Sequence, residues 1–275
     1  RLIKDRLKIK KIPQLGTLEK FIKNYKNPKN EVTIAMCGKY TELIDSYKSV
    51  MEAFVHAGVE NNARVNIKWI QTEKIKNLKD VEKVFPNING VLILPGFGSR
   101  GSEGKIKIVK YSRENKVPFL GICLGLQCAV IEFARNVCKM QGANSTEFNS
   151  KTQYPVIDLM ESQRAIKIKG GTMRLGAYEC EIKVGTKAFS AYKTKKISER
   201  HRHRYEVNNR YKKTLEKNGM VFSGINQELR VVEAIEVKNH PWFVASQFHP
   251  ELKSRINKAH PLFREFIKAA VKNSL

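Results

Sequence analysis

Residues 117–135, VPFLGICLGLQCAVIEFAR, decide the fold. The apolar run Val117 to Ile122 predicts a buried strand, and Leu124 to Arg135 has the length and spacing of a helix directly behind it. A strand that passes into a helix through a single turn is the junction of a βα unit. Working outward, Gly90 to Leu94 predicts a strand ending at Pro95 and Gly96, with a helix from Lys105 to Asn115 after it. Further upstream, Val32 to Cys37 predicts a strand closed by Gly38, Ser46 to Gly58 a helix, and Arg64 to Ile70 a strand with Val65, Ile67 and Trp69 alternating. Strands alternating with helices imply a doubly wound α/β fold: an open, mostly parallel sheet with helices on both faces, and ligands beyond the carboxyl ends of its strands. After about Gly170 the pattern becomes β-rich, with strands expected over Ala177 to Val184, Val221 to Ser223, Arg230 to Val237 and Phe243 to Gln247, then a helix over Leu262 to Lys272.

The chain has 275 residues, 41% of them hydrophobic, enough for a sizeable core. Its longest stretch without a polar side chain, Val117 to Leu126, is far short of the ~20 residues that span a bilayer. Residues 1–30 carry scattered Leu and Ile among lysines and close on Asn24, Asn27, Pro28 and Asn30, which predicts a linker or tail with some helix. The first residue is Arg1, so the chain is expected to be a cut from something longer.

Fifty-one Lys and Arg against 26 Asp and Glu give a net charge of +25, densest in residues 1–30 and 193–213. No aromatic-rich RNA-binding signature and no zinc-finger spacing accompanies it, so a solvated basic surface is the expectation over a nucleic-acid interface. Five cysteines without a CxxC pair point to a reducing compartment, the cytoplasm, with Cys37, Cys128, Cys138 and Cys180 as small core residues. His201 and His203 flank Arg202 without a third ligand at metal spacing, and no metal is expected.

Two strand ends carry chemistry. Gly121-Ile122-Cys123-Leu124-Gly125 has the form of a nucleophile elbow, in which small neighbours permit a sharp turn and the helix amino terminus favours a thiolate. The N–H groups beginning at Leu124 can hold an oxyanion. Gln247-Phe248-His249-Pro250-Glu251 follows the last predicted strand, and residues two apart at a strand end project the same way. Cys123, His249 and Glu251 in that chain order supply a nucleophile, its acid and base, and an orienting carboxylate. A third strand end, Pro95-Gly96-Phe97-Gly98, offers Gly96 as a second oxyanion donor.

The motifs GKYTELIDSYKSVMEA, PGFGSRGSEGK, FLGICLGLQ, ANSTEF, GGTMRLGA, ERHRHRYEVNN and NHPWFVASQFHPE resemble the class I (triad-type) glutamine amidotransferase domain of CTP synthases. The similarity runs from about Glu31 to the carboxyl terminus, with residues 1–30 resembling the end of a synthetase domain plus linker. It implies the amidotransferase variant of the flavodoxin-like sheet, with Cys123, His249 and Glu251 catalytic and Gly96 and Leu124 at the oxyanion. It also implies a glutamine pocket of Gly96, Gln127, Glu147 and Arg204, and the GTP-activator region at Arg100. An acidic side chain and an arginine suit the ammonium and carboxylate of free glutamine. Hydrolysis needs no cofactor; the resemblance places ATP and Mg in the synthetase domain, GTP as allosteric activator, and the full-length protein as a homo-oligomer, a tetramer. This chain has no GxxxxGK[ST] motif. Two departures are visible: Pro95-Gly96-Phe97-Gly98 stands where the family usually has PGGFG, and the lid segment Glu161 to Gly170 is shorter than in many relatives.

These readings predict hydrolysis of L-glutamine to glutamate and ammonia, the ammonia feeding conversion of UTP to CTP in a longer protein. The alternatives are another triad-type amidotransferase or a γ-glutamyl hydrolase, and outside enzymes a regulatory or nucleic-acid-binding module.

Overall fold

The protein is described by a computed structural model covering residues 2–8, 10, 15–39, 41–159 and 173–275. Two helices lead in, α1 (Leu2–Arg6) and α2 (Gly16–Lys26), with no buried residue in α2. Then come β1 (Asn30–Gly38), α3 (Lys48–Glu60), β2 (Ala63–Gln71), α4 (Leu78–Val84), β3 (Gly90–Ile93), α5 (Ser102–Glu114), β4 (Phe119–Ile122) and α6 (Leu124–Asn136). The strands β5 (Asn144–Ser145), β6 (Pro155–Leu159), β7 (Arg174–Ile182), β8 (Lys196–His203), β9 (Tyr205–Val207), β10 (Met220–Asn226), β11 (Val231–Val237) and β12 (Phe243–Ser246) follow. Between and after them lie α7 (Lys187–Tyr192), α8 (Lys212–Lys217) and α9 (Pro261–Asn273).

Nine strands form one sheet in the order β2-β1-β3-β4-β12-β11-β10-β7-β8. From β2 to β12 every pairing is parallel, and from β12 to β8 every pairing is antiparallel. The sheet is therefore mixed, because the β-rich second half that the sequence predicts extends the same sheet with antiparallel strands. A second sheet, β5-β6-β9, is separate.

β3, β4 and β12 are buried at every position, as strands covered on both faces must be. Alternate residues feed two cores: Ile93, Phe119 and Ala245 face Ile106, Val109 and Val130, while Leu92, Leu120 and Val244 face Phe54, Phe263 and Phe266. The order β2-β1-β3-β4 reverses direction between β1 and β3, which opens a crevice at the carboxyl ends of the central strands.

α4, β6 and β8 lie outside the elements that the sequence predicts. β8 spans the dense basic region expected to be a solvated surface, and its inward-facing residues are Glu199, His201 and His203, with Arg200 and Arg202 outside. No apolar period marks such a strand. The lid segment Glu161 to Gly170 lies outside the described residues.

Candidate active site

Cys123 sits between β4 and α6 with φ 54° and ψ −101°, a left-handed conformation that costs a non-glycine residue about 1–3 kcal/mol. Its surroundings impose it. A Cβ at Gly121 would stand 2.8 Å from the backbone of Gly125, and one at Gly125 would stand 2.6 Å from the carbonyl oxygen of Ile93. Only glycines allow the helix to close on the strand this tightly. The Cys123 amide donates to Ser246 O at 2.7 Å, continuing the β4–β12 ladder one residue past its last pair, Ser246 with Ile122.

That ladder brings the far end of the chain to the elbow. The His249 amide donates to Arg200 O at 2.8 Å, which fixes the segment after β12 against β8. His249 Nδ1 and Glu251 Oε1 are 2.8 Å apart, and both side chains are nearly buried. The imidazole pKa is pushed up to about 10: burial alone would lower it, but interactions with Cys123 and Glu251 outweigh burial. The ring thus favours its charged form beside the thiol. Nε2 is buried with no hydrogen-bond partner among the described residues, leaving it available to a reacting group. This arrangement can form a thiolate–imidazolium pair and can shuttle one proton.

All five cysteines are free thiols. Burial pushes Cys37 and Cys180 far up, Cys128 to about 12 and the half-buried Cys138 to about 11.

Gly96 lies against the elbow, since a Cβ there would meet Leu124 Cδ2 at 3.6 Å, so the two expected oxyanion donors are neighbours. The Gly96 turn after β3 is braced by two lysines. Lys105 is fully buried, donates to Leu94 O at 3.0 Å, and has its pKa lowered to about 8, chiefly by burial. Lys39 Nζ donates to Phe97 O and, at 3.2 Å, to Gly98 O. In sequence both lysines look like surface charge and carry no site signal.

The predicted pocket residues converge from two sheets. Gln127, one turn into α6, is buried; its Nε2 donates to Tyr205 O at 3.0 Å and meets Gln247 Oε1 at 3.3 Å, and its Oε1 has no partner among the described residues. Glu147, two residues past β5, accepts a 2.7 Å hydrogen bond from the Gly98 amide, which ties the carboxylate to the glycine turn. Arg204 sits in the bend between β8 and β9, its Nε buried without a partner among the described residues. The Tyr205 phenol has its pKa raised, chiefly by burial and then by Glu147, against an opposing effect of Arg204. An acidic and a cationic group are the pair that an amino acid's two charges call for.

Arg100 stands apart. It pairs with Glu73 at 3.3 Å and lines a cavity of about 340 Å³ together with Lys76, Ser99 and Lys107. Among the described residues no group of His, Cys, Asp and Glu has metal-binding geometry. His201 and His203 face a buried cluster instead, His201 Nε2 lying 2.7 Å from Glu233 and Arg174 pairing with Glu206 and Glu233 at 3.3 and 2.7 Å. Gln247 has no role in the sequence reading, yet its Nε2 lies 3.5 Å from Cys123 Sγ. The signal that could have found it is the parallel pairing itself, since the residue after β12 must lie beside the residue after β4.

The sequence model of the class-I glutamine amidotransferase family matches residues 42–269, and the chain belongs to that family. Within it, the similarity is to CTP synthases. The chain is 54% identical over 286 residues to the CTP synthase of Pelodictyon phaeoclathratiforme, covering 98% of this chain and 50% of that protein. It is 55% identical over 260 residues to that of Chlorobaculum tepidum, covering 94% and 46%. Among solved structures, the glutaminase domain of Trypanosoma brucei CTPS with bound acivicin superposes with a TM-score of 0.82 at 35% identity, over 88% of this chain and 94% of that one. A putative GMP synthase component from Thermoplasma acidophilum, with TM-score 0.54 and 14% identity over 88% of this chain and 94% of that one, shares the fold. The chain spans about half the length of the curated relatives it matches. No helix among the described residues is long and apolar enough to cross a membrane.

Proposed function

We propose that this chain is the glutamine-hydrolysing part of a CTP synthase, converting L-glutamine to glutamate and ammonia through a γ-glutamyl thioester on Cys123. The observation that carries the reading is the left-handed Cys123 at the head of α6 with His249 and Glu251 placed behind it by the β4–β12 ladder.

The Cys123 thiolate attacks the carboxamide carbon, and charge develops on the amide oxygen between the Gly96 and Leu124 amides. His249 gives its proton to the departing ammonia, then takes one from water as that water attacks the thioester and the C–S bond breaks. Glu251 holds Nδ1–H so that Nε2 faces the reaction. Glu147 receives the substrate ammonium, Arg204 its carboxylate, and Gln127 Oε1 accepts from the bound substrate.

In the longer protein the ammonia aminates UTP to CTP at a synthetase part that supplies ATP and Mg chemistry. The cavity beside Arg100 is lined by Lys76 and Lys107 and also by Glu73 and Glu103, and it would take a phosphate-bearing activator such as GTP through its cationic side, with the Arg100–Glu73 pair opening to admit it. Incubation of the chain with L-glutamine should release ammonia and glutamate in equal amounts, and Cys123→Ala should abolish release. Hydrolysis of γ-glutamyl peptides with no turnover of free glutamine would overturn the reading in favour of a γ-glutamyl hydrolase.

A further inference from the structure

We propose that Gln247 is a further catalytic residue: its side-chain amide donates a hydrogen bond to Cys123 Sγ, and it stabilises that sulfur whenever it carries negative charge. The proposal rests on the glutaminase reading and extends it to a residue outside the triad.

Placement comes first. Ser246 pairs with Ile122 in the parallel ladder, so Gln247 and Cys123 are the next residues along two adjacent strands. The Gln247 backbone is pinned by donation from its amide to Glu233 O at 2.8 Å, and its side chain is fully buried. The elbow cannot retreat from it, because the Cys123 amide is bonded to Ser246 O.

Orientation follows from one carbonyl. Tyr205 O can only accept, so the Gln127 group 3.0 Å from it must be its NH2. That same NH2 lies 3.3 Å from the Gln247 amide, which must therefore present its oxygen to Gln127. Gln247 is left with its NH2 directed at Sγ, 3.5 Å away. The opposite flip of Gln247 would set two donors against each other and point a carbonyl at a thiolate. In the thiol form the sulfur can give its own hydrogen to Arg202 O, 3.9 Å away, so the Gln247 contact suits both protonation states and gains strength in the charged one.

The chemistry needs such a donor twice. Before attack, the thiolate must persist in a site where Cys123 is only 3% exposed to water. In the second half-reaction, water adds to the thioester, the C–S bond breaks, its electron pair returns to Sγ, and the proton of the water moves to His249. A donor held at the sulfur lowers the barrier to that departure. The imidazolium supplies charge at the same atom, but it must also surrender a proton during the cycle, whereas the amide of Gln247 keeps its own throughout.

The test compares the chain with Gln247→Met, which keeps the side chain's length and apolar packing but removes the donor, and with Gln247→Glu, which keeps its shape. Iodoacetamide alkylation of Cys123 is followed against pH by peptide mass mapping, a reaction that involves no glutamine. In Gln247→Met the midpoint should move up by about one pH unit, a tenfold loss of thiolate at fixed pH, equivalent to about 1.4 kcal/mol. In Gln247→Glu the added carboxylate should move it at least as far. Glutaminase kcat should fall about tenfold with KM unchanged. An unshifted midpoint in whichever variant retains the parent circular dichroism spectrum overturns the proposal, even if activity falls. A shifted midpoint in the variants, with a parent chain that does not hydrolyse glutamine, instead refutes the glutaminase reading and leaves the hydrogen bond standing.

Discussion

Replacing Gly125 by alanine should damage both the fold and the chemistry. The added carbon would stand 2.6 Å from Ile93 O and 3.2 Å from Ile93 Cβ, on a fully buried strand that cannot give way. Ordinary contact begins near about 3.5 Å, so the head of α6 must move off β3 by about 0.9 Å. Forced overpacking of this kind costs about 1–3 kcal/mol, which for a chain of this size lowers Tm by roughly 2–5 °C. Cys123 and Leu124 ride on the same turn, and a displacement of about 1 Å in reacting groups can cost about a hundredfold in rate. The assay pairs thermal melting with ammonia release from L-glutamine, using Gly16→Ala as control because a Cβ there meets nothing within 4 Å. Gly125→Ala with parent Tm and a rate within about twofold would refute the claim that a tight elbow sets the geometry of Cys123.

Glu251→Gln should retain a measurable glutaminase rate while His249→Ala loses nearly all of it; the reverse order would refute their separate roles. The His249 pKa, raised from its ordinary 6.5 to about 10, places the alkaline limb of the pH–rate profile near 10, and Glu251→Gln should draw that limb downward. A group whose folded pKa is raised stabilises the fold fully below its unfolded value, so the His249 contribution should decline as pH climbs from about 6.5 through about 10, and Tm over that window should fall less in His249→Ala. A glutamine-like electrophile should label Cys123 and spare Cys37, Cys128, Cys138 and Cys180, whose pKa values burial raises; equal labelling by mass mapping would contradict this. Arg113 on α5 reaches the fully buried Glu132 on α6 through bonds of 2.8 and 2.9 Å, so Arg113→Ala should cost about 3–5 kcal/mol in denaturant unfolding by stranding that carboxylate.

The parts of this molecule that are legible in sequence are those in which one residue's neighbours along the chain dictate its state. Gly121 and Gly125 announce the turn at Cys123 because no Cβ fits there. The two-residue spacing of His249 and Glu251 announces a shared direction, and the pair is found 2.8 Å apart. The central strands are legible because both their faces are apolar.

What escapes depends on pairing between distant segments. β8 turns Glu199, His201 and His203 inward, and their partners Tyr192, His260, Glu233 and Glu206 come from elements before and after it, so the strand carries no hydrophobic period. Lys105 reads as one more surface lysine on an amphipathic helix, yet it is fully buried because the Leu94 carbonyl waits at its end. The family resemblance assigns Glu147 to the substrate, and it also clamps the Gly98 amide, a contact that exists only because β5 places it there. Gln247 lies 124 positions from Cys123, and only the parallel register of β4 and β12 brings them together.

The thioester on Cys123 is the centre of the proposed chemistry, and trapping it is the most direct measurement. The chain is mixed with L-glutamine, quenched in acid within the first turnovers, digested, and the peptides weighed. The expected result is one glutamyl group on the peptide containing Cys123, absent from Cys123→Ala and lost if the quench is delayed until glutamine is exhausted. Glutamine turnover with no adduct on that peptide while an adduct accumulates on another residue would contradict it.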